Sequence, residues 1–156
     1  MRIAAASDHA GFALKQLLAR MLEDAGYEVC DLGTHDEQPV DYPDYGAAAG
    51  RAVASGEADA GVCVCGTGIG IAIAANKVPG VRAAVIHDAT SARLARAHND
   101  ANIACFGARV TGAEVARDAL EKFLATGFDA GRHLRRIAKI DRLEEGRARP
   151  VQPGGR

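Results

Sequence analysis

The chain has 156 residues, 48% of them hydrophobic and 25% charged, with a formal net charge of −1. That length suits one domain around one well-buried core, and a charge near zero supplies no global field to draw the protein to nucleic acid or anionic lipid. No run approaches the roughly 18 apolar residues of a membrane span, and the opening MRIAAASDHAGF is interrupted by Asp8 and His9 too early to read as a signal segment.

Residues 2–7 (RIAAAS) read as a short buried strand. Phe12, Leu14, Leu17, Leu18, Met21 and Leu22 recur at helical spacing over 11–25, and Gly26 stops that helix. Residues 27–32 (YEVCDL) alternate as a strand, and a polar loop, GTHDEQPVDYPD, follows. The pattern then predicts a helix over about 43–55, a strand over 59–65, a short helix over 69–77 and a fourth strand over 81–87. Asp88 or Thr90 stands where it can cap a helix running to about 98. Residues 103–107 (IACFG) make a fifth strand, and Thr111 with Glu114 has the spacing of a capping box opening a helix to about 125. After TGFDAGRH a last helix is expected over about 133–145. The organisation is therefore one domain over 1–145 and a flexible, Pro- and Gly-rich tail over 146–156.

Five strands alternating with helices predict an α/β fold, a three-layer Rossmann-like sandwich around a five-stranded parallel sheet. Ligands of such folds bind beyond the carboxyl ends of the strands. Three polar clusters have that address and can converge on one crevice: Asp8 and His9 after the first strand, Cys65 to Gly70 after the third, and Gly107 to Arg109 after the fifth.

The stretch CGTGIGIAIAANK, from Cys65 to Lys77, is the most specific of these. A strand, a glycine-rich turn and a helix start make an anion site, because glycines admit a close backbone approach. The spacing excludes three familiar versions. Gly66, Gly68 and Gly70 bring the third glycine one position early for a dinucleotide fingerprint. Lys77 lies too far along for a G-x-x-x-x-G-K phosphate loop, and no arginine closes the turn as a cysteine phosphatase requires. The thiol remains. Close to a helix N-terminus a cysteine gives up its proton more readily and can act as nucleophile or base. The amides of Gly66 to Gly70 and the Thr67 hydroxyl suit an oxyanion such as an enediolate. The bland reading is that Cys65 is simply buried, as Cys30, Cys63 and Cys105 are expected to be. Four cysteines in apolar runs build no disulfide framework, which suits a reducing, cytoplasmic setting, and Cys63 with Cys65 make no zinc site.

Asp8 and His9 can hold sugar hydroxyls or a phosphate, or Asp8 can cap the helix near Gly11 and leave His9 exposed. RAHND ends a helix with His98, Asn99 and Asp100, either as an ordinary solvated terminus or as one that favours an imidazolium able to protonate a ring oxygen. Arg132 and Arg136, four apart, form a phosphate clamp if they share a helix face, and are otherwise surface charge.

Taken together, SDHAGFALK (7–15), DYPDY (41–45), CGTGIGIAIAANKVPGVRAA (65–84), ARAHNDANI (95–103), FGARV (106–110) and AGRHLRR (130–136) resemble the type B ribose-5-phosphate isomerases. That family also holds the galactose- and allose-6-phosphate isomerases, and the resemblance runs in order over about 1–145. It implies interconversion of an aldose phosphate and a ketose phosphate without metal or organic cofactor. It matches Cys65 to the base that shuttles a proton between C1 and C2, and Thr67 with Gly66, Gly68, Ile69 and Gly70 to the oxyanion cradle. His98 matches the ring-opening acid. Asp8, His9 and Asn99 match sugar contacts, and Arg109, Arg132 and Arg136 phosphate contacts. Some members place a glutamate where this chain has Ile71, so the chain resembles the cysteine-base branch. The resemblance also implies strand order 2-1-3-5-4 and a homodimer, sometimes paired into tetramers, with active sites shared across the interface. The function expected is ribose 5-phosphate isomerisation. A hexose-6-phosphate isomerase and a non-catalytic phosphosugar-binding module are the alternatives, and the segment THDEQPV (34–40) fits no motif.

Overall fold

The computed structural model describes residues 1–144, so the expected tail lies outside the described residues. The strands are β1 (Arg2–Ser7), β2 (Glu28–Asp31), β3 (Ala60–Cys65), β4 (Ala83–Val85) and β5 (Ile103–Gly107). The helices are α1 (Phe12–Asp24), α2 (Tyr42–Ala54), α3 (Ile69–Ala75), α4 (Ala89–Asn99), α5 (Ala113–Leu124) and α6 (Leu134–Asp141), the last preceded by a 3-10 turn over Gly131–His133. All strands are parallel and ordered β2-β1-β3-β5-β4. The sheet is thus the five-stranded α/β arrangement expected, in the order the resemblance implied.

Alternation along the strands sorts the core into two faces. Ile3, Ala5, Val62, Val64, Ala104 and Phe106 meet Leu14, Leu18 and Leu22 of α1, Ala92 of α4 and Leu120 and Phe123 of α5. Ala6, Cys63, Cys65 and Cys105 face the other way, onto Ala49 of α2 and Ile71, Ala72 and Ala75 of α3. Burying one side chain of Leu or Phe size removes about 1.5–3 kcal/mol of exposure cost, so this two-sided coverage is what holds the layers together.

Several local expectations change. Leu17 lies at the exposed edge of the α1 stripe. The Thr111–Glu114 box is not made: α5 starts after Gly112, and Thr111 is buried with its N–H donated to the Gly107 carbonyl. Asp88, not Thr90, caps α4, exchanging bonds with Ser91 in a complete capping box. β4 is shorter than expected, running only over Ala83–Val85, and Arg82 just before it is bound to Asp100 and Asn102. Cys30 is half-buried rather than buried.

Candidate active site

β1, β3 and β5 lie side by side, so the turns leaving their carboxyl ends are neighbours. Cys65 ends β3 and is 3% exposed, and its Sγ accepts the Gly68 N–H at 3.1 Å. That amide is therefore turned to sulfur rather than left open in the cradle. Thr67 stands exposed next to it, its Oγ1 3.3 Å from the Ile69 nitrogen.

The glycines are explained by what surrounds them. Gly68 sits at φ +78°, and a Cβ there would lie 2.9 Å from the Phe106 carbonyl carbon. From the other side, a Cβ on Gly107 would lie 2.5 Å from the Thr67 carbonyl carbon. The loop after β3 and the end of β5 thus touch backbone to backbone, which only glycine on both sides permits. The contact is closed by bonds from Ala108 N–H to the Cys65 carbonyl at 2.9 Å and from Arg109 N–H to the Gly66 carbonyl at 3.0 Å. It also lays the Arg109 guanidinium along Gly66. Gly70 is covered by the Tyr42 ring, brought from the start of α2.

Asp8 and His9 complete this cluster. Asp8 is bound to β3 through its N–H and the Val64 carbonyl, at 3.2 Å. Its Oδ1 accepts the Gly11 N–H at 2.9 Å, so Asp8 does serve the turn into α1, while its other oxygen takes no part in that bond. His9 is half-buried rather than exposed, with Nδ1 against Val40. The three clusters expected to converge do so, at the carboxyl ends of β1, β3 and β5.

His98, Asn99, Arg132 and Arg136 are elsewhere. α4 leaves the carboxyl end of β4 and returns to the start of β5, so His98 and Asn99 finish at the amino ends of the strands. Asp100, at φ +44°, ends the helix there. It is gripped by Arg82 and Arg96, each 2.9 Å from one of its carboxylate oxygens. A bond from Asp129 N–H to the Ala97 carbonyl, 2.9 Å, ties the turn before α6 to the same place. His98 stacks on His133, ring centres 4.4 Å apart and planes within 9°. Burial holds the His133 imidazole below its ordinary value, and His98, Arg132 and Arg136 nearby add to this. Arg132 lies in the 3-10 turn rather than in α6, its Nε 3.4 Å from His133 Nε2. Both arginines are exposed and, among the described residues, neither pairs with a carboxylate, nor does Arg109.

The two clusters occupy opposite ends of the sheet. The Asn102 carbonyl accepts the N–H of Gly61, near the start of β3, at 2.9 Å. From Gly61 to Cys65 the strand runs on for roughly 13 Å. One chain therefore carries the candidate residues in two separate clusters.

Sequence reading overlooked three residues here. Tyr42 carries no signal beyond its place inside DYPDY. His133 is buried against His98, and its place inside AGRHLRR was the available signal. Lys15 is completely buried and pairs with Asp31, and its signal was a lysine in phase with Leu18, Ala19 and Leu22. Beneath the thiol, Cys63 and Cys105 face each other across β3 and β5. Their hydrogen bond and complete burial push the Cys105 thiol well above its ordinary value, so it packs as a neutral group.

Residues 3–140 match the family described as Ribose/Galactose Isomerase. The Escherichia coli (strain K12) protein named ribose-5-phosphate isomerase B is 44% identical over 146 residues, covering 94% of this chain and 98% of that protein. The solved Clostridium thermocellum ribose-5-phosphate isomerase B is similar at TM-score 0.92 and 50% identity, covering 93% of this chain and 98% of the other. The Mycoplasma genitalium ribose-5-phosphate isomerase B with bound ribulose-5-phosphate is similar at TM-score 0.88 and 38% identity, covering 94% and 97%.

Proposed function

This chain belongs to the ribose/galactose isomerase family, and on that premise we propose that it interconverts ribose 5-phosphate and ribulose 5-phosphate through an enediolate, with Cys65 as the base. The observation that carries this is Cys65 itself. It is a nearly buried sulfur at a strand end, hydrogen-bonded by the loop that would hold the substrate oxygens.

His98 donates a proton to the ring oxygen as its bond to C1 breaks, and the anomeric hydroxyl gives up its proton to solvent, leaving the open aldose. The Cys65 thiolate takes the proton from C2 of the open aldose. The electron pair left behind forms the C1–C2 double bond, and the carbonyl bond shifts to oxygen. The Thr67 hydroxyl and amides of the Gly66–Gly70 loop other than that of Gly68, which is turned to sulfur, meet that oxyanion. The same thiol returns the proton to C1 while the C2 hydroxyl passes its proton to O1, so that the carbonyl forms at C2 and the ketose results. Asp8, His9 and Asn99 hold hydroxyls, and Arg109, Arg132 and Arg136 hold the phosphate. No residue in this scheme needs a metal or organic cofactor.

The scheme needs both clusters at one substrate. A homodimer supplies them, each site taking Asp8, His9, the Cys65 loop and Arg109 from one copy and His98, Asn99, Arg132 and Arg136 from the other. The exposed apolar side chains around the loop, Ile69, Ile73 and Val110, support a covering surface there. All four cysteines are free thiols and no helix among the described residues is long and apolar enough to cross a membrane, which supports a cytoplasmic setting. The test is ketose formation from ribose 5-phosphate, with allose and galactose 6-phosphates in parallel. Turnover of the pentose supports the assignment, preference for a hexose transfers it within the family, and binding without turnover of any of them refutes it.

A further inference from the structure

Lys15 is completely buried, and the scheme above does not use it; nor does it use segment 33–42. The Lys15 ammonium donates to Asp31 Oδ1 and, at 2.8 Å, to the Thr34 carbonyl. Gln16 Nε2 reaches the other Asp31 oxygen at 3.1 Å, and His35 Nδ1 stands 4.0 Å from it. A buried charge costs free energy that an apolar side chain of the same shape would avoid, so it is worth asking what its partners hold.

They hold one short stretch of backbone. The Gly33 N–H donates to Asp31 Oδ1 at 2.9 Å, and its carbonyl accepts the Ser7 N–H at 2.7 Å. The Thr34 N–H donates to the Ser7 carbonyl at 2.8 Å, and its own carbonyl takes Lys15. Every backbone polar group of Gly33 and Thr34 is thus spent on the Lys15–Asp31 pair or on Ser7, the residue before Asp8 and His9. From this anchor the chain runs to Val40, whose N–H donates to His9 Nδ1 at 3.1 Å, with its carbonyl 3.3 Å from the same nitrogen. The shorter contact requires an unprotonated Nδ1, which puts the ring proton on Nε2. Two residues later Tyr42 covers Gly70.

We infer that Lys15, together with Asp31, is a positioning residue: it anchors segment 33–40 so that Val40 fixes the His9 tautomer whose Nε2–H is left as a donor for a sugar hydroxyl. The inference rests on the assignment of His9 to the substrate site. A lysine that served stability alone would lower the melting temperature and leave the kinetics of the folded enzyme unchanged.

The experiment is a double-mutant cycle on the full chain, with KM for ribose 5-phosphate measured for wild type, Lys15→Met, His9→Ala and the combination, well below each melting temperature. Groups in one network are coupled, so Lys15→Met should raise KM roughly tenfold in the wild type and no more than about twofold once His9 is absent. Should Lys15→Met fail to fold, the charge-free pair Lys15→Met/Asp31→Leu carries the same cycle. Nitrogen-15 NMR of the wild-type histidines supplies a readout that needs no variant, with the neutral His9 ring expected to be protonated at Nε2. Additive KM effects, with His9→Ala itself raising KM, overturn the anchoring and leave the substrate site standing. A neutral ring protonated at Nδ1 also overturns the anchoring. No change of KM in His9→Ala overturns both.

Discussion

If Cys65 and Arg136 of one site come from two copies of the chain, a variant impaired at one and a variant impaired at the other must rescue each other. The structure sets the scale. Asn102 holds Gly61 at 2.9 Å at the amino end of β3, and roughly 13 Å of strand separates Gly61 from Cys65. His98 and the turn carrying Arg132 lie at that amino end. Cys65→Ala should lower kcat by about 10²–10⁴, the range of a general base. Arg136→Ala should lose one charge-assisted bond, about 1.5–3 kcal/mol, or one to two decades of affinity for the phosphorylated sugar. After free exchange of an equal mixture of the two variants, about half of the dimers are mixed and each has one intact site, so about a quarter of wild-type activity should return at low substrate. The assay is ketose formation from ribose 5-phosphate after exchange in mild denaturant, with differently tagged copies and native mass spectrometry to count mixed dimers. Proven mixed dimers that stay inactive would place both groups in one chain's site and refute the division into halves.

Three further outcomes are expected. Cys65→Ala should still bind ribose 5-phosphate, read by calorimetry, because the arginines and hydroxyl contacts are untouched; loss of binding along with turnover would make Cys65 structural. His98→Asn should slow the cyclic sugar far more than a substrate already open, by about 10²–10⁴ against little change, and equal losses would remove it from ring opening. His133 should make the fold sensitive to acid. Its ionisation is depressed in the folded state, so its contribution is complete above the unfolded value of about 6.5 and is lost as pH falls through the lower folded one. The melting temperature should therefore drop between pH 7 and 5, and His133→Asn should flatten that drop; an unchanged slope would assign it to other groups.

Strand and helix placement was legible because the strands alternate and the helices repeat at their own periods. Val62 and Val64 go to one face and Cys63 and Cys65 to the other as the pattern requires. What failed was local competition for hydrogen bonds. Thr111 has the right residue three places on, but its N–H is drawn to the Gly107 carbonyl and the helix begins one residue later. The strand order came from the resemblance, since periodicity orders no neighbours. The carboxyl-end cluster was legible because it follows strands. That His98 lies at the far end of the sheet follows once α4 is known to return to β5, but a list of polar residues carries no such direction. Lys15 was invisible because a lysine in a helix reads as solvent-facing unless its phase is checked against Leu18 and Leu22.

Ile71 sits directly under the glycine loop with no exposed surface, packed among Cys65, Ala72 and Ala75. Its carbonyl lies against α2, where a Cβ on Gly46 would come within 2.6 Å. A carboxylate at 71 in this chain would enter a buried apolar layer and would be held neutral by desolvation. An ionised carboxylate at 71 therefore asks for polar partners in the layer around it, not for one substitution alone. A variant acquiring the acid at 71 while keeping Cys65 would gain no ionised carboxylate there and would lose apolar packing between the sheet and α3.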